Sequence, residues 1–468
     1  MKRGALFAAV FALLVAARMR HAGVQWAEEN LPMAAAAQMR EGRMLYREAW
    51  FDKPPLLAAA YLAWGARTGW PLRLAGAAYA MLACWIAWRL GRERWGPAEG
   101  AWAAGLLAFF LTFDTHSAVV PLAADLLMLA PHLAAIHLAM TGHALGSGIA
   151  AGVAFSINVK GVFVLAACAL WTRRWGQMAA GFAIPNAVAA AWLAQGGALG
   201  DYFEQVWQWG RIYASDTFVD SPVRNGIART ANWLGFHAAL AAGAAWFWAR
   251  GGERERWKWA AWTALALAPV AMGWRFFPRY FFQLLPVLVL VAARGVQLMG
   301  RRRAIPLLLL LIPLLRFGPR YLNLDDWRDL AMDRDSRAVA LEVRRLARAG
   351  DTLLVWGFRP ELFVYTGLPA ATRYLDSQPL TGVAADRHLV QSEPLTPEWA
   401  AANRIDLTRS SPSIIIDGLG PYNPKLAITA YPDLAAWLAG YEVVAQTAGA
   451  VVYRRSSSRN KAPGTGLG

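Results

Sequence analysis

The 468-residue chain is 57% hydrophobic and only 17% charged, against about 45–50% apolar and about 25% charged in soluble domains, a surplus that excludes an ordinary water-soluble protein. Lys and Arg outnumber Asp and Glu by 47 to 31, yet the basic residues cluster at the ends of apolar blocks: Arg89, Arg92 and Arg94; Arg173 and Arg174; Arg250, Arg254, Arg256 and Lys258; Arg301 to Arg303. That placement is the pattern of short cytoplasmic loops rather than of a nucleic-acid surface, so no nucleic-acid partner is expected. The two cysteines, Cys84 and Cys168, fall inside apolar segments and read as small hydrophobes, not as a disulfide or metal pair.

Uncharged runs such as Ala101 to Leu111 and Ile305 to Leu315 recur up to residue 317. They predict a polytopic helical bundle of about 10–12 spans over residues 1–320, each span needing about 20 residues. Met1-Lys2-Arg3 followed by an apolar run to Ala17 fits an uncleaved first helix or a signal peptide, and either sends the next segment across the membrane. That segment, Arg18 to Lys53, is polar and charge-rich, with an alanine-rich helix expected from Pro32 to Arg40 lying on the membrane surface. Leu56 to Trp64 is too short to cross and reads as interfacial, whereas Leu72 to Leu90 crosses and ends at a basic cluster.

The spans 100–118 and 126–140 place Asp114, His116 and Asp125 at the outer end of a hairpin. Ile149 to Trp171 is interrupted by Asn158 and Lys160 and reads as two short helices meeting at the outer face. After a span at 178–195 comes a loop rich in Trp, Tyr and Gly, Gly196 to Thr230, suited to an interfacial belt or a substrate cleft. Spans at 233–249, 259–273, 281–297 and 304–317 follow, with Arg275 to Arg279 outside. From Asp325 the composition is that of a soluble protein. Strand-like Asp351 to Trp356, Ser413 to Asp417, 442–446 and 450–454, with helices at Pro360 to Thr366 and Asp433 to Ala439, predict a small α/β domain over 321–455 on the outer, periplasmic side. Trp356, Tyr365 and Tyr374 are expected in its core, and the tail 456–468, polar and rich in Ser and Gly, is expected to be disordered.

This topology puts Glu28, Glu29, Lys53, Asp125, Lys160, Arg275 and Arg279 at one face of the membrane. Ionisable groups in or beside spans are costly and are functional candidates by default. Taken singly each has a plain structural role: Lys and Arg snorkel at span ends, Glu28 and Glu29 suit a helix N-terminal turn, and Asp125 suits a helix cap. His132 and His137, five residues apart, do not share a helical face, and neither H-E-x-x-H, a cysteine cluster nor a phosphate loop of Walker or Rossmann type occurs.

In combination the segments say more. Trp26-Ala27-Glu28-Glu29, then Met39-Arg40-Glu41-Gly42-Arg43-Met44-Leu45-Tyr46, then Asp52-Lys53-Pro54-Pro55-Leu56 resemble the first outer loop of lipid-linked-sugar glycosyltransferases of the C superfold, in the branch of the protein O-mannosyltransferases and bacterial aminoarabinose transferases. Leu72 to Gly76, Pro121 to Asp125, Lys160-Gly161 and Arg275-Phe276-Phe277-Pro278-Arg279-Tyr280 follow in the expected order. Glu28 stands where the family usually has Asp, and the small polar residue that usually precedes the lysine at 160 is missing.

The resemblance implies an inverting transferase of the inner membrane that takes a sugar from a polyprenyl-phosphate donor to the hydroxyl of an acceptor lipid, glycan or protein. Glu28 would be the base, with Glu29 beside it and Asp125 orienting the acceptor. Lys53, Arg279 and Arg275, with Tyr280 and Lys160, would bind the donor. No cofactor is certain; a divalent cation, if used, would lie on Glu28 and Asp125. The competing readings are a transporter or lipid flippase, disfavoured because the charges gather at one face rather than at the midplane, and a scaffold indifferent to replacement of these residues.

Overall fold

The computed structural model describes residues 3–217, 219–323 and 328–456. The chain folds into two compact units, Met1–Asp333 and Arg334–Gly468. Residues 457–468, most of the tail expected to be disordered, lie outside the described residues, as do residues 324–327 near the expected domain boundary.

The first unit is helical. It opens with α1 (Arg3–Met19), α2 (Ala27–Arg40), α3 (Pro55–Tyr61), α4 (Trp70–Arg94) and α5 (Pro97–Phe110). Gly69 and Gly96, both at positive φ, precede α4 and α5, and a proline in each first turn fixes φ where no N–H is needed. Gly100 lets α5 lie close on α4, because a Cβ there would meet the Trp88 carbonyl oxygen at 2.7 Å. Among the described residues three helical runs are long and apolar enough to cross a membrane: α4, Trp175–Gln195 and Gly300–Tyr321. Shorter apolar helices are Phe7–Met19, Pro55–Trp64, Ala124–Met140, Ala144–Ile157 and Leu285–Leu298.

The break expected near Asn158 occurs. The helix Ala144–Ile157 stops at an extended Asn158, and a new helix runs Gly161–Ala169. Two expectations are corrected. The alanine-rich helix starts earlier, at Ala27, and is packed within the unit: Met33 and the small Ala34, Ala35 and Ala36 are wholly buried. The segment 196–230 is largely helical, with Leu199–Tyr202, a π-helical stretch Phe203–Gln208, Trp209–Ser215 and the start of Pro222–Phe236. Its glycines fall mostly between or within helices rather than keeping the chain irregular.

The second unit carries a four-stranded mixed sheet in the order β1-β2-β4-β3, from β1 (Leu353–Trp356), β2 (Ile414–Asp417), β3 (Tyr441–Gln446) and β4 (Val451–Arg455). β1 and β2 are parallel and the other pairs antiparallel. The two parallel strands are fully buried, as continuous apolar runs require. Trp356 and Tyr374 lie in the core with Leu354, Ile415 and Leu419, and Trp356 Nε1 donates to the Leu426 carbonyl at 2.9 Å. Tyr365 is buried as well.

One polar contact organises the start of the first unit. The Arg73 guanidinium from α4 makes two 2.8 Å bonds to the Glu29 carboxylate, with both side chains essentially inaccessible. Its remaining N–H groups donate to the carbonyls of His21 and Val24 between α1 and α2. Glu29 Oε1 also accepts the Leu122 N–H at 2.8 Å, and Oε2 accepts that of Trp26 at 3.5 Å. Removing one member of such a pair strands a buried charge. We expect Arg73→Met to cost about 3–5 kcal/mol and Glu29→Met/Arg73→Met to recover most of it. Thermal melting in detergent checks this; equal melting of the wild type and the single variant would deny the pair its role.

Candidate active site

Glu28 and Glu29 are consecutive in the first turn of α2, so a rotation of about 100° separates them. Glu29 turns inward to Arg73, and Glu28, with its side chain 34% exposed, turns to the opposite side. There Arg279 Nη1 donates to Glu28 Oε1 at 2.6 Å, and Arg279 Nε lies 3.8 Å from Asp125 Oδ2. The guanidinium therefore lies between two carboxylates. Burial works against its charge, but Glu28, Tyr280 and Asp125 outweigh it and hold Arg279 above its ordinary value, so it stays protonated.

Asp125 is the buried anchor of the group. The short helix Ala124–Leu127 carries it, and the Leu122 N–H held by Glu29 sets the approach to that helix. The side-chain amides of Asn158 and Gln283 donate to Asp125 Oδ1 at 3.4 and 3.5 Å, and Lys160 Nζ stands 3.7 Å from the same oxygen. The Lys160 ammonium also sits over the Tyr280 ring, 3.3 Å from its centroid. The broken helix thus delivers Asn158 and Lys160 to one carboxylate, and Asn158 Oδ1 accepts the Lys160 N–H at 3.1 Å, fixing the turn between them.

Lys53 approaches on the loop before α3. Its ammonium donates to Asp52 at 2.7 Å while the side chain remains 44% exposed. Desolvation lowers its pKa, but Asp52, Tyr280 and Glu28 together raise it above the ordinary lysine value, so Lys53 keeps its charge. Glu28, Asp125, Lys160, Arg279, Tyr280 and Lys53 therefore form one electrostatic neighbourhood, with carboxylates and cations interleaved.

Two expected site residues are placed otherwise. Glu29 faces away from the cluster, its oxygens taken by Arg73 and two backbone N–H groups. Arg275 is directed to the carbonyls of Tyr213 and Asp216, at 2.7 and 2.9 Å, and stacks on the Tyr213 ring. It braces a strained stretch in which Gly273, Trp274 and Phe276 have positive φ, just before the 3₁₀ turn Pro278–Gln283 that presents Arg279. Asn158 and Gln283 are the additions; Gln283 is the one polar residue in the apolar run 281–293, which is the signal that could have found it.

Among the described residues no group of three or more His, Cys, Asp or Glu side chains is placed to hold a metal ion. Glu28 and Asp125, with a guanidinium between them, do not make a cation site as they stand.

No protein-family model matches the chain, and no curated protein matches it by sequence. The structure is similar to the crystal structure of ArnT from Cupriavidus metallidurans bound to undecaprenyl phosphate, with a TM-score of 0.59 and 17% identity over 98% of this chain and 99% of that one. It is similar to the same protein in the apo state, with a TM-score of 0.57 and 15% identity over 96% and 97% of the two chains. The apo oligosaccharyltransferase of Archaeoglobus fulgidus gives a TM-score of 0.50 and 12% identity over 97% of this chain and 75% of that one. At such identities the likeness is one of fold. Over nearly its whole length the chain shares the fold of ArnT.

Proposed function

We propose that the chain is a membrane glycosyltransferase that moves a sugar from a polyprenyl-phosphate donor to an acceptor hydroxyl at the outer face of the inner membrane. The observation that carries this reading is Arg279, held between Glu28 and Asp125 with Lys160 and Lys53 nearby, in a fold shared with a protein whose crystal structure holds undecaprenyl phosphate. A donor phosphate at this level would take the N–H groups of Arg279 and the Lys53 ammonium through charge-assisted hydrogen bonds. Glu28, relieved of its guanidinium partner, would then accept the proton of the acceptor hydroxyl. The hydroxyl oxygen bonds to the anomeric carbon as the bond from that carbon to the phosphate oxygen breaks, and the phosphate departs on the polyprenyl chain. Attack opposite the leaving group inverts the sugar. Asp125, bonded by Asn158 and Gln283, would orient the acceptor.

The same reading extends to the membrane. The shorter helices, with Pro97–Phe110, Ala238–Arg250 and Arg256–Ala271 among them, would complete the bundle of about 10–12 spans, the basic clusters would mark the cytoplasmic side, and the second unit would be external. Native Cys84 and Cys168 are buried, so introduced cysteines can report topology cleanly. Exposed Glu41→Cys should react with a membrane-impermeant maleimide from outside, and Arg302→Cys only after permeabilisation. The reverse pattern would sink the orientation.

Donor binding is read with undecaprenyl phosphate and the purified full chain. Lys53→Ala and Arg279→Ala should each weaken it by about 10- to 150-fold, the range for losing a hydrogen bond to a charged group. Lys53→Arg should retain part of the affinity because the charge survives. Unchanged affinity in both alanine variants would remove the clamp.

The base is tested by turnover. Glu28→Gln should leave a folded, lipid-binding protein whose sugar transfer falls by about 10²–10⁴. Glu28→Asp should be milder. Native rates in Glu28→Gln and Asp125→Asn alike would refute the glycosyltransferase reading.

A further inference from the structure

The loop that presents Lys53 is held both by its own bonds and by a side chain remote in sequence. Between Leu45 and Lys53 the chain makes a tight reversal in which the Tyr46 N–H donates to the Ala49 carbonyl at 2.8 Å, and Tyr46 lies at φ +68°, a costly conformation for a bulky residue. The Tyr46 hydroxyl then donates to the Lys53 carbonyl at 2.7 Å, tying the far end of the loop to its start. Two main-chain groups of this loop, the Tyr46 carbonyl and the Phe51 N–H, find a partner in one remote side chain. Gln205 Nε2 donates to the Tyr46 carbonyl at 2.8 Å, and the Phe51 N–H donates to Gln205 Oε1 at 2.9 Å.

Gln205 is completely buried and lies in the π-helical stretch Phe203–Gln208, a rare geometry found mostly at functional sites. Its flanking residues follow the same loop: the Tyr202 ring packs edge-on to Tyr46 with centroids 5.1 Å apart, Trp209 meets Trp50 at 6.5 Å, and Arg47 donates to the Gly196 carbonyl at 3.2 Å. The amide serves both loop groups from a buried position because it carries a donor and an acceptor without a charge. A carboxylate would accept from Phe51 but could not donate to Tyr46, and would bring in a charge; an apolar side chain would leave both main-chain groups without partners.

We propose that Gln205 is a positioning residue for Lys53, the clamp that sets the loop on which the Lys53 ammonium meets a donor phosphate; this rests on the lipid-phosphate reading given above. Gln205 acts through Tyr46 and Phe51 rather than by touching the lipid. Its effect on phosphate binding therefore exists only while Lys53 is present.

That dependence separates positioning from mere support of the fold, and a double-mutant cycle measures it. Undecaprenyl phosphate affinity is determined for the full-length wild type, Gln205→Leu, Lys53→Ala and the double variant, all in the same detergent. Gln205→Leu should weaken binding by about tenfold, the scale of one or two lost hydrogen bonds, and should cost nothing further once Lys53 is alanine. An equal loss in both backgrounds, or no loss where Lys53→Ala loses affinity, overturns the clamp. Equal binding by the wild type and Lys53→Ala overturns the phosphate role of Lys53 itself, and that arm alone identifies which of the two ideas has failed. If Gln205→Leu does not fold, Tyr46→Phe, which removes only the hydroxyl on the Lys53 carbonyl, replaces it in the same cycle with the same expectations.

Discussion

The buried pair between Glu29 and Arg73 is the contact on which the rest of the first unit's site depends. A bidentate ion pair without solvent is tolerated when further hydrogen bonds satisfy the two groups, and here they do so: Arg73 also holds the carbonyls of His21 and Val24, while Glu29 holds the N–H groups of Leu122 and Trp26. Three consequences follow from this one contact. It fixes the rotation of α2 and so turns Glu28 away from Arg73; it sets the linker between α1 and α2; and through Leu122 it stations the turn that bears Asp125. Such a network is weak as a source of net stability but strong as a determinant of register, because any slip leaves a charge stranded.

Around Glu28 the electrostatics are arranged differently. Arg279 is shared by two carboxylates, Lys160 divides its interaction between Asp125 and the Tyr280 ring, and Lys53 leans on Asp52. These contacts are more exposed and less exclusive than those of Arg73. They can be exchanged for an incoming anion at modest cost, whereas those of Arg73 cannot. The contrast between a closed ion pair that holds the scaffold and an open set that can be rearranged is what makes the second group a candidate for binding.

The strained backbone lies beside this open set. Tyr46 on the Lys53 loop, and Gly273, Trp274 and Phe276 before the Arg279 turn, all have positive φ. Each stretch is braced by a polar side chain gripping main-chain groups, Gln205 on a carbonyl and an N–H in the first case and Arg275 on carbonyls in the second. Gly226 makes room for the Phe276 ring, which a Cβ there would meet at 2.7 Å. Strain of this kind persists only where surrounding contacts over-determine it.

What the sequence by itself determined follows from local physics. Apolar run length and basic flanks mark the helices; the polar interruption at Asn158 and Lys160 marks the broken one; and short apolar runs between turns mark all four strands of the second unit. The order of Glu28, Lys53, Asp125, Lys160 and Arg279 along the chain carried the resemblance, and the fold agrees with it. What only the tertiary structure decided is which of two adjacent acids faces the cluster, where Arg275 spends its donors, that the segment after Gly196 is wound into helices, and that Gln205 reaches back over 150 residues to Tyr46 and Phe51. Periodicity places a residue on an element, but the partner of a polar side chain is set by elements distant in sequence, and a buried hydrogen bond leaves no trace in the residues next to it.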